Sequence, residues 1–365
     1  MHGTFRKILI PVSAALLLFA SCKKDTATGP SANSTPAPHV NQGERNLYVV
    51  CEGSLGNGNA SLSVKNLTNG TTYDNVYETI NGKSLGDVFQ SITRIGDRLL
   101  LCINNSDKIL VIDAITRDYI GRIDVPKPRY IQVINETKAY VSSLFGNKLY
   151  IINPQQLTLE GSIEMPARNP EGMLAWGNFI YVCTWDTACN KVYLVNKLND
   201  QIADSIALAG VAPHKVFADR DGFIWVLSGN VPQNKWAAFT RIRPDTRESV
   251  SAYNFKELQD PIKPVMNGSR DWIYFIGVDY NGYSKYNGVF RMGIDDASVP
   301  GTPLIPAQNL QYFWALGIDP QTNDIYVGDP KGFIQKGTVS VYDASGNQKQ
   351  TFNVGVGPGD FYFDE

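Results

Sequence analysis

The chain repeats one pattern of apolar and polar positions. An apolar run ends in a polar loop, and a second apolar run follows and ends in Asn or Asp. The clearest copy is Arg98-Leu-Leu-Leu-Cys-Ile-Asn-Asn-Ser-Asp-Lys-Ile-Leu-Val-Ile-Asp113. A second runs from Lys138-Ala-Tyr-Val-Ser-Ser143 to Lys148-Leu-Tyr-Ile-Ile-Asn153, and a third from Phe179-Ile-Tyr-Val-Cys183 to Lys191-Val-Tyr-Leu-Val-Asn196. Short runs rich in Val, Ile and Tyr between turn residues read as strands, not helices. Their return at roughly 40 to 50 residues is the spacing of a β-propeller blade.

Seven copies can be counted. The first starts at Asn46, with Leu47-Tyr-Val-Val-Cys51, Ala60-Ser-Leu-Ser-Val64 and Thr71 to Glu78 as its strands. The others start at Asp87, at Arg129, near Glu171, at His214, near Ile262 and near Phe313. Each reads as an inner strand, a central apolar strand, a third strand ending in Asp or Asn, and a weaker outer strand. Pro358-Gly-Asp-Phe-Tyr-Phe363 has the inner-strand signature without a central strand after it, and the first copy lacks an inner strand. Joining the two completes an all-β, seven-bladed propeller, closed by the C-terminal strand pairing into the N-terminal blade. Closure removes the open sheet edges that invite aggregation.

This connectivity assigns residues to faces. The turns entering the inner strands bring Asp87, Arg129, Glu171, His214, Lys263, Trp314 and Asp360 towards the axis. The loops between second and third strands share that face and lengthen in the last blades. They carry Phe145, Trp185, Trp236, Tyr280, Tyr283, Tyr286 and Phe333 among many Asn, Gly and Gln. Half of these aromatics would serve by packing their own loops. Tyr and Trp give rigid contact area and amides give adaptable hydrogen bonds, so the face suits a large ligand bearing amides or hydroxyls. The expected ligand contacts are Arg129, Tyr130, Phe145, Trp185, His214, Trp236, Tyr280, Tyr283, Trp314 and Phe333.

The N-terminus is a separate matter. Arg6 and Lys7 precede an apolar stretch from Ile8 to Phe19 that is short for a membrane span. Phe19-Ala-Ser-Cys22 resembles a lipobox, which makes residues 1–21 a lipoprotein signal peptide and Cys22 the lipidated residue; an ordinary secretory signal is the alternative. Residues 22–44 are mostly Lys, Ser, Thr, Pro, Ala, Asn and Gly with almost nothing apolar, and read as a flexible tether. The propeller then occupies residues 45–365.

Of the four other cysteines, Cys51, Cys102 and Cys183 end the first motif strand of their copies and read as small buried apolar residues. Cys183 and Cys189 flank one hairpin and could also pair, if the geometry suited. A net charge of -2 with 19% charged residues gives no footprint for nucleic acid. Past residue 44 the sequence holds one histidine, His214, which argues against histidine triads and multi-histidine metal sites. Asp87, Glu171 and Asp360 could act as acid and base if they converged, but alternation with Arg129 and Lys263 reads more simply as mutual neutralisation around a watery channel. A calcium ion held by oxygen ligands in that channel is a further alternative. No resident cofactor or catalytic residue is expected.

Several strings carry a resemblance: Gly58-Asn-Ala-Ser-Leu-Ser63, Gly86-Asp-Val-Phe-Gln-Ser91, Asn104-Asn-Ser106, Pro128-Arg-Tyr130, Pro170-Glu-Gly-Met173 and Gly357-Pro-Gly-Asp-Phe361. Together they resemble the YncE-like, surface-layer-type propeller lipoproteins of the Bacteroidota, which include BtuG-type cobalamin-binding proteins. The resemblance implies a non-enzymatic lipoprotein of the outer membrane, on the cell surface or its periplasmic face. Such a protein would bind a corrinoid and hand it to a TonB-dependent transporter. A structural or adhesion propeller binding glycan or protein is the first alternative. A calcium-dependent, lactonase-like hydrolase is the second.

Overall fold

The structure, a computed structural model, describes residues 44–279, 286–308 and 311–364. The expected signal segment 1–21, Cys22, all of the tether but Glu44, and the candidate contacts Tyr280 and Tyr283 lie outside the described residues.

The described residues form seven four-stranded antiparallel sheets. In six of them the strands follow chain order from the inner edge outwards. In the seventh, Pro358–Asp364 pairs with Asn46–Cys51, which pairs with Ser61–Asn66. Leu47 lies opposite Phe363 and Val49 opposite Phe361. The ring is thus closed by strands from the two ends of the chain, as the sequence implies.

The central strands show why their apolar runs are unbroken. A strand with one wet face alternates, whereas one covered on both faces does not. Leu99, Leu100, Leu101 and Cys102 are all fully buried. Leu99 and Leu101 pack towards Tyr48, Leu62 and Phe89, while Leu100 and Cys102 pack towards Ala139, Val141 and Ile152. The core therefore consists of layers between neighbouring blades. Each large side chain in them contributes about 1.5–3 kcal/mol. Outer strands such as Thr158–Glu164 are largely exposed.

The recurring Asn or Asp has a local cause. Asp113 Oδ1 accepts the backbone N–H groups of Ile115 and Thr116 at 2.8 and 2.7 Å. Asn153 and Asp343 do the same for the turns that follow them. These Asx turns satisfy the orphaned amides where the third strand reverses into the fourth.

Two expectations need correction. Thr71 to Glu78 is not one strand: Thr72–Tyr73 pairs briefly, and a short helix, Val76–Asn81, follows. The helix buries Val76 and Tyr77 against the core between the first two blades, a contact that an exposed outer strand would forgo. Cys183 and Cys189 do not pair, and all four described cysteines are buried free thiols. Cys183 packs with Leu194 and Val216, whereas Cys189 packs with Tyr140 and Val182, so the two thiols serve different inter-blade layers. Burial pushes the Cys51 and Cys102 thiols up to about 12.

Candidate functional site

Most inner strands break register just inside the ring. Register shifts fall between Phe89 and Ser91, Pro128 and Ile131, Pro170 and Met173, Pro213 and Lys215, and Ile262 and Val265. A bulge turns its extra residue out of the ladder and re-aims the side chain. The re-aimed residues Gln90, Arg129, Tyr130, Glu171, His214, Lys263 and Pro264 line a cleft of about 310 Å3, together with Glu52, Trp185 and Trp314.

Polar contacts around this cleft are dense. The Arg129 guanidinium donates from Nε to both oxygens of Glu171, at 3.2 and 3.0 Å, and from Nη2 to Oε1. Its Nη1 donates to Gln90 Oε1, and Gln90 Nε2 donates to the Tyr130 hydroxyl at 3.4 Å. Burial opposes the Arg129 charge, but the Glu171 carboxylate outweighs it and holds the pKa above the usual arginine value. The same burial, reinforced by Glu171, raises the Tyr130 phenol. The cleft thus pairs opposite charges, as the alternation of signs in the sequence suggests.

On another part of the ring, Glu52 Oε1 accepts the Trp314 indole N–H at 2.9 Å. Lys263 donates to the Gly359 carbonyl at 2.7 Å and lies 4.0 Å from Glu52. The Trp185 indole N–H donates to the Gly229 carbonyl at 3.1 Å, and its ring lies 6.3 Å from that of His214. Burial lowers the His214 pKa, partly opposed by the Ala212 carbonyl 3.3 Å from Nδ1. Neutral His214 therefore donates from Nδ1 and keeps Nε2 as an acceptor.

The structure gathers Arg129, Tyr130, Trp185, His214 and Trp314 from the expected contacts, and leaves three of them outside the cleft. Phe145 has a φ of 68° and is 69% exposed on its loop. Trp236 is an exposed residue of the strand Lys235–Arg243. Phe333 meets Trp314 edge-on at 5.7 Å and packs over Gly357, so it braces a cleft residue. Tyr286 turns inward and packs on Phe290 at 4.4 Å.

One axial assignment also changes. Asp87 turns to the first hairpin loop, where it accepts the Gly56 N–H at 2.9 Å and the Asn105 amide at 2.5 Å; Gln90 takes the ring position. In the closing strand Glu52 lies across Gly359, and Asp360 next to it acts on Lys215 and Tyr130 of the cleft, as its axial assignment implies. Sequence reasoning missed Gln90, Glu52, Lys215 and Asp260 as lining residues. The signal for Glu52 was the glycine at the one ring position with no side chain of its own. Among the described residues no three His, Cys, Asp or Glu side chains gather as a metal site.

A family model described as a domain of unknown function, DUF5074, matches residues 45–363. None of the curated proteins matches the chain. Among solved structures, a quinonprotein alcohol dehydrogenase-like protein from Bacteroides thetaiotaomicron is similar with a TM-score of 0.66 and 17% identity, covering 88% of this chain and 78% of that one. A periplasmic gluconolactonase from Pseudomonas aeruginosa gives 0.64 and 12%, covering 88% and 99%. AztD from Citrobacter koseri gives 0.58 and 11%, covering 88% and 98%. At such identities the likeness is one of fold alone.

Proposed function

The chain belongs to the DUF5074 family, and from that premise we propose that this seven-bladed propeller captures a small molecule in its axial cleft without transforming it. The observation behind this reading is how the charged groups of the cleft are engaged. Arg129 and Glu171 bind each other, and Glu52 holds the Trp314 indole. Groups locked in this way set shape and polarity but are not poised to move protons. Tyr130, Trp185 and Trp314 add apolar walls, the mixture typical of ligand pockets.

A corrinoid, the ligand class implied by the resemblance, offers an apolar macrocycle edge, peripheral amides and a phosphodiester. At about 310 Å3 the cleft is at the small end of ligand pockets and takes one edge or side arm of such a molecule. The macrocycle would rest over the rim near Asn230 and Pro232. In this reading the protein is anchored through Cys22 to the outer membrane, at the cell surface, and passes its ligand to a TonB-dependent transporter. Calorimetric titration with cyanocobalamin tests it. Saturable binding that weakens on replacing Trp185 or Trp314 supports capture, and absence of binding at micromolar protein contradicts the corrinoid assignment.

A second groove favours a second reading. Gln308, Gln311, Tyr312, Asp329, Lys331 and Gln335 line about 470 Å3 of open, polar surface. Amides and a carboxylate beside an exposed ring suit sugar hydroxyls, which would make the protein a glycan-binding adhesion module. Binding on a glycan array that is lost in Tyr312→Ala would favour it. A lactonase-like activity would need a calcium-holding cluster of carboxylates and amides on the axis.

A further inference from the structure

Three cations line the axial cleft: Arg129, Lys215 and Lys263. Arg129 is matched by Glu171, and Lys263 by the Gly359 carbonyl with Glu52 at 4.0 Å. Lys215 is different. Among the described residues no carboxylate comes within 4.0 Å of its ammonium and none makes a hydrogen bond to it. Its nearest marked contact is the Tyr130 ring, whose centroid is 5.3 Å from Nζ. An ammonium has three donors and no acceptor, so half-buried Lys215 presents its donors to whatever enters the cleft.

The surroundings limit what that partner is. Glu52, Glu171 and Asp260 line the same cleft, and Asp360 acts on Lys215 more strongly than Glu171 does, without reaching ion-pair distance. These carboxylates oppose a second negative charge, while the Lys215 ammonium has none of them at ion-pair distance. Tyr130, Trp185 and Trp314 provide faces for an apolar body beside the charge.

We propose, building on the capture reading, that the ligand presents a singly charged oxyanion, a carboxylate or a phosphodiester, to Lys215, with an aromatic or apolar body against Tyr130 and the two tryptophans. The anion completes the hydrogen bonding of the ammonium and fixes which end of the ligand enters the cleft. Burial lowers the Lys215 pKa, with Asp360 and Glu171 raising it and Lys263 lowering it. An incoming anion favours the charged form, so binding at alkaline pH takes up a proton.

The test titrates the full chain with 1-naphthoate, with diphenyl phosphate and with uncharged 2-naphthol, following heat and tryptophan fluorescence. At least one anion is expected to bind the wild type. Its affinity should fall about 10- to 100-fold in Lys215→Met, the worth of one charge-assisted hydrogen bond. It should recover in part in Lys215→Arg, with 2-naphthol unaffected by either change. The tighter anion identifies the source of the oxyanion. Equal affinity in wild type and Lys215→Met, or no anion binding to the wild type, overturns the proposal. Should Lys215→Met fail to fold, wild-type calorimetry in two buffers of different ionisation enthalpy decides: proton uptake at alkaline pH supports the site, and none overturns it. Cyanocobalamin is run in parallel. If it does not bind while the anions bind through Lys215, the corrinoid assignment falls and the oxyanion site stands.

Discussion

Gly359 leaves room on the propeller axis that Glu52 occupies: a Cβ on Gly359 would fall 2.6 Å from the Glu52 Cγ. The carboxylate is held there by the Trp314 indole at 2.9 Å. The strand from the C-terminus and the hairpin from the N-terminus thus share one ring position. Gly359 lacks a positive φ, so its importance is space and not backbone freedom.

Replacing Gly359 by Ala should therefore act sterically. Overpacking of this kind destabilises by about 1–3 kcal/mol. Urea denaturation should show that loss, and tryptophan fluorescence should shift as Glu52 releases Trp314. Wild-type stability with an unchanged spectrum would refute the steric relationship.

The Arg129–Glu171 pair should behave as a unit. Arg129→Met alone strands a largely buried carboxylate and is expected to cost about 3 kcal/mol. The double variant Arg129→Met/Glu171→Met should recover much of that loss, because neither charge is then left alone. A double-mutant cycle on denaturation midpoints reads the coupling, and simple additivity would contradict it.

His214 gives the fold a pH dependence of known sign. Its folded pKa lies below the unfolded value of about 6.5, chiefly through burial, so the unfolded chain binds the proton more readily. Stability from neutral His214 is full above about pH 6.5 and is lost as pH falls from there towards the lowered folded pKa. Carboxylates with depressed values, such as Asp319 beside Arg45 at 2.7 Å, lose their contribution further down, below about pH 4. In His214→Gln the upper window should flatten while the lower persists. An unaltered profile between about pH 5 and about pH 6.5 would sink the assignment.

Ring closure also makes a stability claim. Deleting residues 358–365 removes the inner of the two partners of Asn46–Cys51 and uncovers an apolar edge carrying Leu47 and Val49. The truncated chain should lose cooperative melting and associate, as read by calorimetry and light scattering. A monodisperse product with a sharp transition would argue that the other blades hold the fold unaided.

The blades were legible because strands covered on both faces must be apolar throughout, and the Asx turns because Asp113 and Asn153 perform one local task. Closure was legible because Pro358-Gly-Asp-Phe361 matches the other inner strands. The axial ring was legible only to within about a residue or two. Bulges decide which side chain leaves the ladder, and a bulge depends on the pairing of strands distant in sequence. Hence Asp87 yields to Gln90, and Glu52 enters across Gly359. The loop aromatics carried even less information, because whether Phe145 points to water or Tyr286 to the core depends on the neighbouring blade.

The most direct test of the central claim is calorimetric titration of the chain with cyanocobalamin beside the Trp185→Ala and Trp314→Ala variants. Capture in the axial cleft predicts saturable binding with one site per chain, a higher melting temperature in the bound state by mass action, and loss of both effects in the variants. Binding that is indifferent to both tryptophans would place the ligand elsewhere on the molecule. No heat and no thermal shift at micromolar protein would contradict capture of a corrinoid by the axial cleft.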